Sequence, residues 1–184
     1  MARCLVTGHR GYIGSRLFKK LKDLGHEVLG IDTKDGKDIN SLQGLVEAGS
    51  NVLNFARKND VKRVIYSSSS SIVGNGDGPT SPYALQKLTT ELETKIYSSL
   101  YNIDTVSLRY FNVYSADQPA DGPYATAISN WMNFIRQDKI PFITGDGEQR
   151  RDMLHVSDAV SANVFAMEHK GNFLGRSFDV GTGK

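Results

Sequence analysis

Tyr83 and Lys87 stand four residues apart, and Ser67-Ser68-Ser69-Ser70-Ser71 precedes them. Residues four apart on a helix share a face. A free phenol titrates at about 10, too high for a base at neutral pH, and a neighbouring ammonium favours the phenolate. A serine hydroxyl donating to the same substrate oxygen stabilises charge that develops there. Such a set can exchange a proton at a sugar hydroxyl or keto oxygen while hydride moves to or from a nicotinamide. The plainer reading is a half-buried aromatic beside a solvated lysine, and Y-x-x-x-K alone recurs by chance. Its weight comes from what stands before it.

Arg3-Cys4-Leu5-Val6-Thr7 reads as a short apolar strand, and Gly8-His9-Arg10-Gly11-Tyr12-Ile13-Gly14 follows directly. Ser15 to Leu24 then reads as a helix, with Leu17, Phe18, Leu21 and Leu24 at helical spacing. Strand, glycine-rich turn and helix are the parts of a dinucleotide site. Gly8 allows a tight turn, Gly11 lets backbone amides approach a pyrophosphate, and Gly14 lets the helix pack close to the sheet. The helix N-terminus offers unpaired N–H groups and a positive dipole end to phosphates. A second strand, Val28 to Ile31, ends on Asp32, about 20 residues on, where a carboxylate can take the adenosine ribose hydroxyls. That acid favours NAD, because a 2′-phosphate would meet a like charge; Arg10 and Lys34 keep NADP open.

The remaining chain must position these groups. Leu42 to Asn59 reads as a helix with an apolar face, and Val64-Ile65-Tyr66 as a buried strand running out into the serines. Apolar residues flank the serine run directly, which favours a strand end delivering hydroxyls to a cleft over a flexible linker. Gly74 to Pro82 is a loop. The helix bearing Tyr83 and Lys87 runs from Ser81-Pro82 to about Tyr101, and Asp104 to Arg109 is the next strand. Tyr124 to Gln137 is an amphipathic helix, Ile140 to Thr144 a short strand, Ser157 the cap of a helix over 158–168, and Phe178 to Val180 closes the chain. Strands alternating with helices predict an α/β fold with a mainly parallel sheet.

The 184 residues suit one domain, and 39% hydrophobic and 23% charged residues suit a soluble one. A net charge of +2 with dispersed basic residues predicts no nucleic-acid partner. No apolar run approaches the roughly 20 residues of a membrane span. The early first strand leaves no room for a signal peptide, and the single cysteine, Cys4, fits a reducing cytoplasm. No metal site is expected.

With these residues in hand, the chain resembles the extended short-chain dehydrogenases, specifically the NAD-dependent epimerase/dehydratase family of the UDP-galactose 4-epimerase kind. T-G-H-R-G-Y-I-G at 7–14 is similar to its cofactor loop, V-I-Y-S-S-S-S-S-I-V-G at 64–74 to its serine strand, and S-P-Y-A-L-Q-K at 81–87 to its catalytic helix start. The resemblance implies Ser69, Tyr83 and Lys87 as the catalytic residues. Gly8, Arg10, Gly11, Tyr12, Ile13, Gly14, Asp32, Ser67, Tyr83, Lys87 and Tyr110 would line the cofactor site. Asp38-Ile39 would border the adenine. L-R-Y-F-N-V-Y at 108–114 resembles the segment passing under the nicotinamide, with Asn112 presented to the nucleotide sugar; Arg151, in G-D-G-E-Q-R-R-D-M-L-H-V at 145–156, would meet its phosphates.

The chain also departs from the family. Members carry further strands between the Asp38-Ile39 region and the helix at 42–59, one ending in a histidine-leucine-alanine-alanine loop against the cofactor. With those gone, the first strand is expected to pair directly with the 64–66 strand. Val73 and Ser115 replace the family's tyrosine and glycine, and the chain stops where relatives continue their substrate-binding region. The expectation is a Rossmann-like, doubly wound fold with fewer strands, 1–114 forming a reduced dinucleotide core and 115–184 a partial substrate region. Its implied activity is epimerisation or 4-keto reduction of a nucleotide sugar, UDP-linked, at C4 through a 4-keto intermediate. Ser69-Ser70-Ser71 lacks the carboxylates of the dehydratases. The rival is a non-catalytic nucleotide- or nucleotide-sugar-binding protein. A homodimer through helices 42–59 and 83–101, using Leu45, Val52, Phe55, Leu88, Leu92 and Ile96, is also expected.

Overall fold

A computed structural model of the chain describes residues 1–32, 44–74, 76–118 and 126–184, with 44–47 as backbone only. Asp38, Ile39 and the Leu45 side chain therefore lie outside the described residues. Strand β1 (Arg3–Thr7), helix α1 (Tyr12–Asp23) and strand β2 (Glu27–Ile31) form the first unit. Helix α2 (Gly44–Lys58) leads to β3 (Arg63–Ser69), which ends in a 3-10 turn over Ser70–Ile72. Helix α3 (Pro82–Tyr101) starts on a Ser81 cap whose hydroxyl accepts the Ala84 amide, with Pro82 at the first helical position. Strands β4 (Asp104–Tyr110) and β5 (Asn112–Tyr114), helix α4 (Ala127–Arg136), β6 (Met153–His155), α5 (Val156–Glu168) and β7 (Arg176–Val180) complete the order.

Every described strand pair is parallel, as an α/β alternation requires. The strands fall into three sets: β1-β2, β3-β4-β7 and β5-β6. The expected pairing of the first strand with the serine strand does not form among the described residues, since β1 pairs with β2 alone and β3 with β4 alone. Helix α1 packs on β1 and β2, α5 on β3 and β4, and the two helices touch. The family that the chain resembles carries a further strand in this region, and a strand lost from inside a sheet leaves its neighbours about two strand spacings apart, too far for a ladder.

The core is Val106, Leu108, Tyr110, Leu154, Ala159, Ala166 and Phe173, between the β3-β4-β7 sheet and α5. Arg63 ties the end of α5 to this sheet, pairing with Asp104 at 2.6 Å and donating to the carbonyls of Ala166, His169 and Gly171. Two local expectations need correcting. Residues 140–144 form no strand, because no neighbouring strand completes a ladder there, and Ile140 is left 91% exposed. Helix α5 begins one residue before the expected cap, and the His155 ring, not Ser157, accepts the cap amide, from Ser157 at 3.3 Å.

Candidate active site

The glycine turn has the geometry of a phosphate cradle. Gly8 has φ +70°, a conformation that L side chains rarely adopt, and a Cβ at Gly14 would collide with the Gly8 carbonyl oxygen. Only glycines let α1 start this close to β1. Gly11 is the N-cap of α1 and supplies no side-chain acceptor for the first-turn amides, which is the state an incoming phosphate requires. Asp32 is buried at the end of β2, and its Oδ2 accepts the Arg10 amide at 2.9 Å, which fixes the carboxylate beside the turn. The residues present therefore fit the pyrophosphate and adenosine end of a dinucleotide.

The proton-transfer candidates lie at the C-terminal end of β3. Ser69, Tyr83, Tyr110, Asn112 and Arg151 line one cavity of about 540 Å³, together with Tyr12 and Ile13 from the glycine turn. The strand delivers the serine, as expected, and the 3-10 turn begins on it: Ser69 Oγ accepts the Ser71 amide at 3.3 Å and lies 2.9 Å from Ser71 Oγ. Lys87 Nζ donates to the Ser67 carbonyl at 2.8 Å and lies 5.8 Å from the centre of the Tyr83 ring. Burial pulls the Lys87 ammonium down to about 8. Sequence reasoning missed Tyr66, whose ring centre lies 5.1 Å from Lys87 Nζ and whose phenol burial pushes up to about 12. Its signal was available: Tyr66 opens the serine run that Lys87 reaches.

The other walls come from the chain's second half. Tyr110 is buried, its phenol accepts Asn163 Nδ2 at 2.6 Å, and burial raises its pKa. Asn112 donates Nδ2 to the Asp152 carbonyl at 2.8 Å, which joins β5 to the segment before β6, and Arg151 next to it is exposed at the cavity wall. Ser115, where the resembled family has glycine, accepts the Tyr12 hydroxyl at 2.7 Å and donates to Asp117 at 2.6 Å. Asp117 in turn pairs with Arg16 of α1. The departure thus links helix α1 to the segment that follows β5.

The sequence matches the NAD dependent epimerase/dehydratase family over residues 4–45 and 39–181. It is 29% identical to a putative UDP-glucose 4-epimerase of Methanocaldococcus jannaschii, over 98% of this chain and 77% of that protein. That alignment spans 239 positions against the 184 residues here, so the relative carries stretches with no counterpart in this chain. The fold superposes on the UDP-N-acetylglucosamine 4-epimerase of Methanobrevibacter ruminantium M1, solved with UDP-N-acetylmuramic acid, with TM-score 0.86 and 27% identity over 99% of this chain and 77% of that one. It also superposes on the UDP-glucuronic acid 4-epimerase of Bacillus cereus, solved with UDP-glucuronic acid and NAD, with TM-score 0.85 and 25% identity over 100% and 78% of the two chains.

Proposed function

The chain belongs to the NAD dependent epimerase/dehydratase family, and we propose that it is a reduced nucleotide-sugar epimerase or 4-keto reductase acting at sugar C4 through a 4-keto intermediate. The observation that carries this reading is the meeting of Ser69, Tyr83, Asn112 and Arg151 on one cavity, with Lys87 beside the tyrosine. Bound NAD would supply the hydride acceptor and donor. The glycine turn and the α1 N-terminus would hold its pyrophosphate, Asp32 the adenosine ribose, and Lys87 the nicotinamide ribose. Tyr83 takes the proton from the sugar O4 as the keto group forms and returns it afterwards. The Lys87 ammonium favours the phenolate, and the Ser69 hydroxyl donates to the same oxygen. Asn112 contacts the nucleotide sugar, and Arg151 balances the charge of its phosphates, consistent with a UDP-linked substrate. The missing carboxylate after Ser69 weighs against 4,6-dehydration.

A second reading has a specific observation in its favour. The edges of β1 and β3 are unpaired among the described residues, at the place where the resembled family closes its cofactor wall. A non-catalytic nucleotide-sugar-binding protein would tolerate that opening. Retained cofactor separates the two: the catalytic reading expects nicotinamide nucleotide released on denaturation, or NAD bound on addition, and Asp32→Ala should weaken NAD more than NADP. A protein that binds no nicotinamide nucleotide contradicts it, and one that prefers NADP contradicts the role given to Asp32.

The same reading places the protein in the cytoplasm, with 1–114 as core and 115–184 as partial substrate region. It also pairs two copies through α2 and α3. Phe55, Leu92 and Ile96 are each about half exposed, at 49%, 53% and 53%.

A further inference from the structure

Helix α3 turns polar residues toward the sheet. Its buried positions are Ala84, Thr90, Glu91 and Thr94, while Leu85, Leu92, Ile96 and Leu100 are exposed. Apolar contact is non-directional and gives a helix little reason to hold one height on a sheet. Hydrogen bonds are directional, and Glu91 makes several. It lies one turn beyond Lys87 and two beyond Tyr83, on the same face. Its carboxylate, in a residue only 5% exposed, accepts from Ser68 Oγ at 2.8 Å, Ser177 Oγ at 2.7 Å, and Arg109 Nη2 and Nε at 2.5 and 3.1 Å. These partners sit on β3, β7 and β4, so one carboxylate ties the helix to all three strands. Ser68 precedes Ser69 and pairs in register with Arg109, which pairs with Asp179. One turn further on, Thr94 Oγ1 and Ser107 Oγ lie 3.2 Å apart. Burial alone would push the Glu91 carboxyl up; the hydrogen bonds from Arg109, Ser177 and Ser68 outweigh it and hold the group below the usual range, as the charged acceptor.

We infer that Glu91 is a positioning residue, whose carboxylate fixes the height and rotation of α3 so that Tyr83 and Lys87 meet Ser69. The inference rests on the roles proposed for those three residues. Its physical content is that position and stability are separable here. Removing one partner of a buried ion pair is costly, whereas replacing both by apolar residues of similar volume is often neutral or stabilising. The apolar pair would restore stability without restoring direction.

Four variants test this: Glu91→Gln, Glu91→Leu with Arg109→Leu, and each of these combined with Tyr83→Phe. Glu91→Gln is expected to lower kcat by about 10²-fold, the scale of a small misplacement of reacting groups. KM for the nucleotide sugar and affinity for NAD should hold, because Arg151, Asn112 and the glycine turn sit on other elements. The double leucine variant should recover part of the midpoint lost in Glu91→Gln, short of the Ser68 and Ser177 hydrogen bonds, and leave kcat low. Turnover returning with stability overturns the inference, as does unchanged kcat in Glu91→Gln.

A second readout needs no turnover. The difference in tyrosinate absorbance between each protein and its Tyr83→Phe partner isolates the titration of this phenol. The titratable and charged groups around it are Lys87 on its own helix, Tyr66 on β3, and Tyr12, Tyr110 and Arg151 on the other cavity walls. Removing a carboxylate lowers a phenol's pKa by charge alone, whereas moving the phenol away from Lys87 removes the tyrosinate that forms below about pH 8, where the ammonium is still charged, and so raises it. The expected result in Glu91→Gln is a rise; a fall or no change overturns the inference. If the parent turns over no nucleotide sugar and the rise is nonetheless seen, the functional reading fails and the positioning role stands.

Discussion

Lys87 is the residue whose surroundings say most about how the cavity would work. Burial brings its ammonium from 10.5 down to about 8. Between those two values the unfolded chain holds a proton that the folded chain has lost, so the stability contributed at this site rises with pH across that window. The field that Lys87 exerts on Tyr83 changes the opposite way, because it fades as the ammonium loses its proton. Turnover should therefore fall above about pH 8 while resistance to denaturant gains from this site, and Lys87→Met should lose that alkaline gain. A parent protein whose activity climbs through this window, or a Lys87→Met protein with the same alkaline gain, contradicts the assignment. The pair itself was legible in the sequence, since a four-residue spacing on a helix fixes a common face. Tyr66 and Glu91 were not singled out, because their importance depends on which strands lie opposite them. Spacing along one helix reports only that helix.

Among the elements, α3 shows what amphipathic reading can and cannot deliver. Its limits and cap were readable from Ser81-Pro82, and its apolar residues were readable as surplus to one sheet face. The structure turns Leu92 and Ile96 of that surplus outward, leaves Leu88 partly buried, and puts threonine and glutamate inside. The proposed two-fold helical bundle would cover this exposed apolar helix face and the half-exposed Phe55 of α2. Light scattering at micromolar concentration should then give about twice the 20.3 kDa chain mass, and a charge introduced by Leu92→Glu should return it to one chain. A clean monomer in the parent rejects the bundle. The 140–144 segment failed as a strand for the converse reason: a short apolar run promises a strand only where a neighbour supplies the ladder, and none of the described strands does. The His155 cap escaped notice because serine is the commoner cap and the ring nitrogen competes only once the backbone has turned.

On the scale of the whole molecule, the fold class followed from alternation and the glycine turn, and the separation of β1 from β3 did not. Sequence gives the order of elements and the loss of a strand; it does not say whether the flanking strands close the gap. A strand lost from inside a sheet leaves its neighbours about two spacings apart, and a ladder forms only at one. The consequence for function is direct. The glycine turn belongs to the β1-β2 unit, and Ser69, Tyr83 and Lys87 belong with the β3-β4-β7 unit, so the proposed catalysis requires both to serve one cofactor and one sugar. The measurement that tests this most directly is a proton NMR time course of the protein with NAD and UDP-glucose, UDP-N-acetylglucosamine or UDP-glucuronic acid, run beside Tyr83→Phe. The account predicts that a C4 epimer, or a 4-keto sugar with matching nicotinamide reduction, accumulates with at least one of them and is slowed by ~10² or more in the folded Tyr83→Phe protein. No product from any of the three while NAD is bound, or equal product from Tyr83→Phe, would contradict it.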